Sequence, residues 1–178
     1  MQEGEKFTAV WHLAENEQEL KLTNFEFLLW RVFYGFMRWQ EDCQSCIDEN
    51  NELNAYDLSI LHIIRMNERP KNVYELGSLL NRNDVPNIQY SIRKLLKLGF
   101  VEKYKGGPKK SLAYQITEKG IENTNAYIEA RKNILINALK NEFEELDLAY
   151  TTKALTTIKG IYDEAGRIAA SYRSLPKE

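Results

Sequence analysis

The chain has 178 residues, of which 43% are hydrophobic and 28% are charged, and its formal net charge is −2 at pH 7. A chain of this length and composition can bury a core of its own, as ordinary globular proteins do. It contains no apolar run of about 20 residues, and its acidic start, MQEGEKFTAV, has no basic segment leading into an apolar one. The sequence therefore predicts neither a membrane span nor a secretory signal, and we expect a cytoplasmic protein.

The charges are unevenly distributed along the chain. Between Arg82 and Lys119 lie nine basic and three acidic residues, a net charge of +6, whereas the remainder of the chain carries −8. A basic segment within an acidic frame is suited to neutralising phosphates at one surface while limiting non-specific binding. A lysine-rich helix and hairpin that are merely solvated would give the same count, so charge alone does not establish a nucleic-acid partner.

The first long helix is predicted from Leu22 to about Cys46. It follows residues 1–21, which have no clear period and which we expect to form an arm or a short helix. Two stripes of apolar side chains follow helical spacing along the predicted helix, and a helix apolar over so wide an arc must be covered on two sides. The first stripe is Phe25, Leu28, Leu29, Val32, Phe33, Phe36 and Met37, and the second is Phe27, Trp30 and Tyr34.

Two shorter helices follow, and a capping pair marks the start of each. Asn54 with Asp57 three residues later resembles a capping box and predicts a helix that ends near Asn67. Asn72 with Glu75 predicts a third helix by the same device, with a length of about two turns.

The fourth helix is predicted to contain Pro86 in its first turn, where a missing N–H is tolerated, and to end at Gly99. Its apolar residues Ile88, Ile92 and Leu95 form one stripe. The opposite side is polar and basic and is free to enter a DNA groove. The residues of this outward side are Gln89, Tyr90, Arg93, Lys94 and Lys97.

A short β-hairpin is predicted directly after Gly99. The runs FVEKYK and SLAYQI are rich in aromatic and branched residues, and the turn-forming stretch GGPKK joins them. Thr117 with Glu118 then predicts the start of a long helix that extends to about Leu146. Two short helices, a helix with a polar face and a hairpin, in this order, are typical of a winged helix-turn-helix.

The last helix is predicted from about Asp147 to Arg173 and carries a coiled-coil-like seam. The long helices have more apolar surface than the segment between them, about 65 residues, can cover, and a second copy of the chain is the simplest cover. Packing of the long helices on each other within a monomer is the alternative. The seam residues alternate in spacing between three and four and are Leu155, Ile158, Tyr162, Ala165, Ala169 and Tyr172.

The segment from Asn54 to Gly120 resembles the MarR-type family of bacterial transcriptional regulators, the multiple-antibiotic-resistance group. SIRKLLKLGFVEK is similar to the end of the family's recognition helix and its first wing strand, and ITEKG is similar to the family's L-T-x-x-G. The resemblance implies a mainly α fold with a small β-hairpin wing. It also implies three parts: an N-terminal arm and dimerisation helix (1–53), a winged helix-turn-helix DNA-binding domain (54–120) and C-terminal dimerisation helices (121–178).

The resemblance further implies a homodimeric repressor, responsive to a small ligand, that binds double-stranded DNA at a pseudo-palindromic operator. The base-reading positions then fall on Asn87, Gln89, Tyr90 and Lys94, whose side chains include good partners for adenine and guanine. Family wings usually carry an Asp-x-Arg tip that enters the minor groove, whereas this tip carries Lys109 and Lys110. Lysine lacks the planar fork of arginine, so we expect the wing to attract phosphates more than to read groove shape.

A ligand pocket between the dimerisation helices and the winged module is a further implication of the resemblance. Trp30, Tyr34, His62 and Tyr127 are the candidates to line it around a small aromatic effector. Aromatic residues at helical spacing are more often part of a core, and a histidine beside a core stripe is more often a structural, hydrogen-bonded residue.

Cys43 and Cys46 form a CxxC pair near the end of the first predicted helix. A redox switch is one hypothesis, and a four-thiolate metal site built from two copies is another. The chain has no second CxxC, and the acidic neighbours of this one would raise a thiol pKa, so the pair is weak evidence for either. We expect no metal and no cofactor.

No catalytic motif accompanies the two histidines of the chain, so the sequence does not predict an enzyme. A winged-helix module that binds proteins and not DNA is the remaining alternative. Such a module would be expected to lose the charge on its fourth helix, and this chain keeps Arg93, Lys94 and Lys97 there.

Overall fold

The computed structural model describes residues 11–104, 112–139 and 146–172. The chain separates into two compact units, Met1–Ala130 and Arg131–Glu178. The second unit contains α6 (Leu148–Tyr172). In chain order the earlier elements are α1 (Glu17–Ser45), α2 (Ala55–Arg65), β1 (Lys71–Asn72), α3 (Val73–Leu79), α4 (Val85–Leu98), β2 (Val101–Tyr104), β3 (Ala113–Ile116) and α5 (Glu118–Arg131).

Helix α1 begins at Glu17, earlier than the predicted start at Leu22. Asn16 caps this end, because its side-chain oxygen accepts a hydrogen bond of 3.0 Å from the Glu19 backbone N–H. The cap lies in a polar stretch without apolar period, which is why the sequence pattern missed it. Ahead of the helix, the ring of Trp11 packs against that of Phe27, with 5.3 Å between centroids.

Helix α2 starts with the predicted capping box. The Asn54 side chain accepts from the Asp57 backbone N–H at 3.0 Å, and the Asp57 carboxylate accepts from the Asn54 N–H at 3.2 Å. The helix ends at Arg65, slightly before the predicted end near Asn67, and a 3₁₀ turn follows.

The ammonium group of Lys71 stabilises the turn after α2. Lys71 is fully buried, and its Nζ donates to the backbone carbonyls of Ile64 and Arg69, each at 3.0 Å, and also to that of Met66. Because the last carbonyls of a helix have no partner within the helix, a buried ammonium with three donors can replace the missing N–H groups. Desolvation by burial lowers the pKa of Lys71.

Helix α3 has half of its predicted cap. The Asn72 side chain accepts from the backbone N–H groups of Tyr74 and Glu75, both at 3.0 Å. The Glu75 carboxylate does not complete the box but forms an ion pair with Arg69.

Helix α4 has the predicted Pro86 in its first turn, and Gly99 ends it in the left-handed conformation with φ 77°. Its stripe of Ile88, Ile92 and Leu95 packs into the core of the first unit, where each is at most 1% exposed. The core is closed by side chains from α2, α3, the strands and the loop before α2. These are Leu53, Leu58, Ile60, Leu61, Ile64, Leu76, Phe100, Val101 and Tyr114.

The predicted hairpin is present as an antiparallel pair of β2 and β3, in register from Val101 opposite Ile116 to Tyr104 opposite Ala113. The other edge of β3 pairs with β1, so the sheet has the order β1-β3-β2. Strand β1 was not predicted, because a strand of two residues has no alternation that a pattern could reveal.

The motif ITEKG joins the hairpin to α5. The Thr117 hydroxyl donates to the Gly99 carbonyl at 2.7 Å and accepts from the Gly120 N–H at 3.1 Å. A Cβ on Gly120 would lie 2.2 Å from the Phe100 carbonyl oxygen, so only glycine allows this approach. The threonine and the glycine together tie the end of α4 to the start of α5.

Helix α5 was predicted to continue to about Leu146, but its α-helical part ends at Arg131. A π-helical turn, Lys132–Ile136, follows it. Helix α6 lies close to its predicted bounds, and none of its residues is buried. The prediction of a mainly α fold with a winged helix-turn-helix, a small wing and long flanking helices is confirmed.

Candidate nucleic-acid interface

The outward side of α4 is the candidate interface. Gln89, Tyr90, Arg93 and Lys97 are exposed, as predicted. Tyr90 is 61% exposed, whereas Ile88 and Ile92 on the opposite side are buried. The amphipathic division holds α4 against the core and leaves amide, phenol and cationic groups in solvent, which are the groups that bind base edges and phosphates.

The start of α4 is held by an ion pair. The Asp84 carboxylate accepts from Arg82 Nε at 2.8 Å and Nη2 at 2.6 Å, and from Asn87 Nδ2 at 3.2 Å. The hydrogen bond from Arg82 is the main cause that lowers the pKa of Asp84 to about 2. The guanidinium of Arg82 also lies 5.1 Å from the ring centroid of Tyr56. Asn87 is exposed, so it is available at the edge of the interface.

The ammonium group of Lys94 does not extend freely into solvent, contrary to the prediction. Its Nζ donates to Asp57 Oδ2 at 2.8 Å and to the backbone carbonyl of Glu52. The side chain is 21% exposed, and that of Asp57 is 1% exposed. The helical spacing allowed either side for Lys94, and its long flexible stem reaches a carboxylate that a sequence pattern could not place beside it.

Two further basic side chains follow α4, one on the hairpin and one at the start of α5. Lys103 is exposed on β2. Lys119, just after the hairpin, donates to the Leu98 carbonyl at 2.8 Å and lies 4.8 Å from the ring centroid of Phe100. The predicted phosphate contacts Lys109 and Lys110 lie outside the residues that the structure describes.

The four predicted pocket residues are divided between two environments. The rings of His62 and Tyr127 are in contact, with 4.6 Å between centroids, whereas Trp30 and Tyr34 are exposed on α1 by 57% and 65%. Burial, followed by the charge of Arg65, lowers the pKa of His62 to about 4. His62 is thus a neutral, largely buried residue, and a pocket formed by all four stays a prediction.

Helix α1 borders a cleft that the sequence did not suggest. The cleft has a volume of about 470 Å³ and is lined by Phe33 and Met37 of α1, by Tyr56 and Ser59 of α2, and by residues 80–84. Residues 80–84 form the turn that leads into α4, so this cleft adjoins the start of the candidate interface.

The two cysteines have different environments. Cys43 is buried and Cys46 is exposed, and both are free thiols. Burial, followed by the neighbouring Cys46, raises the pKa of Cys43, which lowers the fraction of reactive thiolate. Within the described ranges, no group of three or more histidine, cysteine and acidic side chains is arranged to hold a metal ion. No helix in the same ranges has the length and apolar character needed to cross a membrane.

Residues 53–120 match the family model described as "Winged helix DNA-binding domain". No curated protein has a significantly similar sequence. Among solved structures, RV1404 from Mycobacterium tuberculosis is 17% identical, with 83% of this chain and 97% of that chain covered and a TM-score of 0.59.

Two further solved structures link this fold to named regulators. A MarR mutant from E. coli, solved in complex with operator DNA, is 17% identical, with coverage of 79% and 95% and a TM-score of 0.60. NMB1585, a MarR family regulator from Neisseria meningitidis, is 13% identical, with coverage of 88% and 99% and a TM-score of 0.61. The chain therefore has the fold of the MarR-type winged-helix proteins, built around a winged helix domain at residues 53–120.

Proposed function

We propose that this protein is a homodimeric transcriptional regulator that binds double-stranded DNA in a sequence-specific manner and not an enzyme. The exposed polar and basic side of α4, within a domain that matches a winged helix DNA-binding model, is the observation that carries the proposal. A protein-interaction module would not need the exposed cations Arg93 and Lys97 on this side.

Helix α4 is proposed to lie in the major groove. Gln89 and Asn87 can bond the edge of adenine, and the exposed ring of Tyr90 can contact a thymine methyl group. Arg93 and Lys97 supply charge for phosphates or guanine. The wing lysines Lys109 and Lys110 are proposed to neutralise further phosphates. Lys94 is no longer proposed as a DNA contact, because its ammonium group forms an ion pair with Asp57.

Dimerisation is supported by the apolar surface of the long helices. On α6, Leu155, Ile161 and Ile168 are 44%, 62% and 49% exposed, although leucine and isoleucine are mostly buried in folded proteins. Val32 of α1 is likewise 60% exposed. A second copy that covers these faces would present two α4 helices to a pseudo-palindromic operator, about 34 Å apart in successive major grooves.

Regulation by a small aromatic ligand, with repression relieved on binding, remains part of the proposal, as does a cytoplasmic location. A ligand would act by binding more tightly to a dimer whose two α4 helices are wrongly spaced. The alternative sensor is the pair Cys43 and Cys46. The raised pKa of Cys43 argues against it, because a redox-sensing cysteine needs an accessible thiolate.

Footprinting on the DNA upstream of the protein's own gene tests the proposal. We expect protection of two half-sites about one helical turn apart, and loss of discrimination between operator and random DNA in Gln89→Ala. Gln18→Ala, an exposed position on α1, is the matched control and should leave binding unchanged. Failure of the wild type to bind any DNA at low salt would contradict the proposed function.

A further inference from the structure

We infer that Lys94 is a positioning residue that fixes α4 to the start of α2 through the buried carboxylate of Asp57, and that it does not contact DNA. The inference rests on the proposed function, since it concerns how the DNA-binding helix is held. It assigns different roles to cationic residues of one helix that the sequence pattern treated alike.

The carboxylate of Asp57 needs the ammonium of Lys94. Asp57 is 0% exposed, and its Oδ2 accepts from the Asn54 backbone N–H at 3.2 Å and from Lys94 Nζ at 2.8 Å. Its Oδ1 has no hydrogen-bond partner among the described residues. A buried carboxylate deprived of its cation is strongly destabilising, so Lys94 cannot turn outward to a phosphate without a large cost.

A carboxylate of α1 also binds the first turn of α2. The Ala55 backbone N–H at the start of α2 donates to Glu41 Oε1 at 2.8 Å. The carbonyl of Glu52, just before α2, accepts from Lys94. Three helices are therefore joined at the first turn of α2: α1 by Glu41, α2 by Asp57 and α4 by Lys94.

This junction sets the orientation of α4 about its own axis. The apolar contacts of the core stripe are non-directional, whereas Lys94 ties one point on the surface of α4 to two fixed acceptors, the Asp57 carboxylate and the Glu52 carbonyl. Lys97, about one turn further along α4, is exposed and serves as the comparison for a cation in solvent.

The dependence of DNA affinity on salt concentration separates a phosphate contact from a positioning residue. Each lysine that neutralises a phosphate contributes about 0.9 to the slope of log affinity against log salt. We expect Lys97→Gln to lower this slope by about that amount. Lys94→Gln should weaken operator binding about tenfold while the slope stays as in the wild type, and Lys94→Arg should restore part of the affinity.

For Asp57→Asn, general electrostatics and a positioning role predict opposite changes in DNA affinity. Removal of a negative charge near α4 should strengthen DNA binding if only general electrostatics matter, but it should weaken binding if the carboxylate holds α4 in place through Lys94. The double variant Asp57→Asn with Lys94→Gln keeps the net charge of the protein, and we expect it to bind no more weakly than the weaker single variant. All measurements are made well below the melting temperature of each variant, so that loss of folded protein does not contribute.

A slope lowered by about one unit in Lys94→Gln, or stronger binding by Asp57→Asn, would overturn the inference and leave the proposed function intact. If Lys94→Gln does not fold, Lys94→Arg still decides, because its affinity should fall below that of the wild type for a positioning role and should equal or exceed it for a phosphate contact. A wild type that shows no salt-dependent binding overturns the proposed function itself.

Discussion

The winged module, residues 54–120, and helix α6 both carry regular apolar patterns but use them differently. Ile92 of α4 is 1% exposed and Ile161 of α6 is 62% exposed. The winged module supplies its own cover through α2, α3 and the sheet. An apolar face is stabilised roughly in proportion to the area removed from water, so the module can fold on its own surfaces while α6 requires another surface.

An amphipathic pattern alone does not tell these two regions apart. The stripe on α4 and the seam on α6 have the same helical spacing. The difference lies in the neighbours, because α4 is followed at once by a hairpin whose Val101 and Tyr114 side chains join the core that contains the α4 stripe.

The largest effect is expected from a charge placed on the α6 seam. Leu155→Asp would bury an unpaired carboxylate between two copies, at a cost of several kcal/mol, so the variant should be monomeric at micromolar concentration. Sedimentation velocity checks this. The matched control is Thr156→Asp, an exposed position next to the seam, which should remain a dimer. A monomeric wild type would show that α6 has no partner copy and that the proposed dimer is wrong.

Replacing a glycine by alanine should change the free energy of unfolding in opposite directions in the two regions. In Gly120→Ala the new Cβ would lie 2.2 Å from the Phe100 carbonyl oxygen and 2.6 Å from Ile116 Cγ1, so we expect a loss of about 3 kcal/mol in the free energy of unfolding. In α6, a Cβ at Gly160, on the side away from the seam, meets nothing within 4 Å, and alanine favours a helix by roughly 1 kcal/mol over glycine.

Urea denaturation followed by circular dichroism measures both glycine variants. Gly160→Ala should be at least as stable as the wild type, in contrast to Gly120→Ala. If Gly120→Ala proves as stable as the wild type, the tight contact between Gly120 and Phe100 is not a feature of the folded protein.

A smaller effect is expected when the pH is lowered, because the stability of the first unit depends on the protonation of His62. His62 has its pKa lowered from 6.5 to about 4 by burial. Between these values the unfolded chain binds a proton that the folded chain does not, so stability is fully present above pH 6.5 and is lost as the pH falls towards 4. The loss is at most about 3 kcal/mol, at roughly 1.4 kcal/mol for each pKa unit.

His62→Phe keeps the ring contact with Tyr127 and removes the titrating group, so its stability should fall less between pH 6.5 and 4. Thermal melts at several pH values measure this difference. His12→Phe, an exposed position, is the control and should follow the wild-type profile. Equal pH profiles for His62→Phe and the wild type would mean that His62 is not held neutral by burial.

Much of the fold was predictable because its signals are local. The Asn54 and Asp57 box, Pro86 in the first turn of α4, the left-handed Gly99 and the hairpin all depend on residues within a few positions of each other. The exposure of Gln89, Tyr90, Arg93 and Lys97 followed from helical spacing. The parts that were missed lack a local period, as in the two-residue strand β1, or change helix type without a breaking residue, as after Arg131.

Capping, turn chemistry and amphipathic spacing act over one or two turns, so the sequence alone predicted most helix starts and most of the exposed side of α4. The roles of Lys94 and Lys71 depend on tertiary packing. A lysine reaches in many directions on its flexible stem, and its partner is set by which carboxylate or carbonyl the fold brings near it. Asp57 lies 37 residues from Lys94, and no spacing rule connects them before the helices pack.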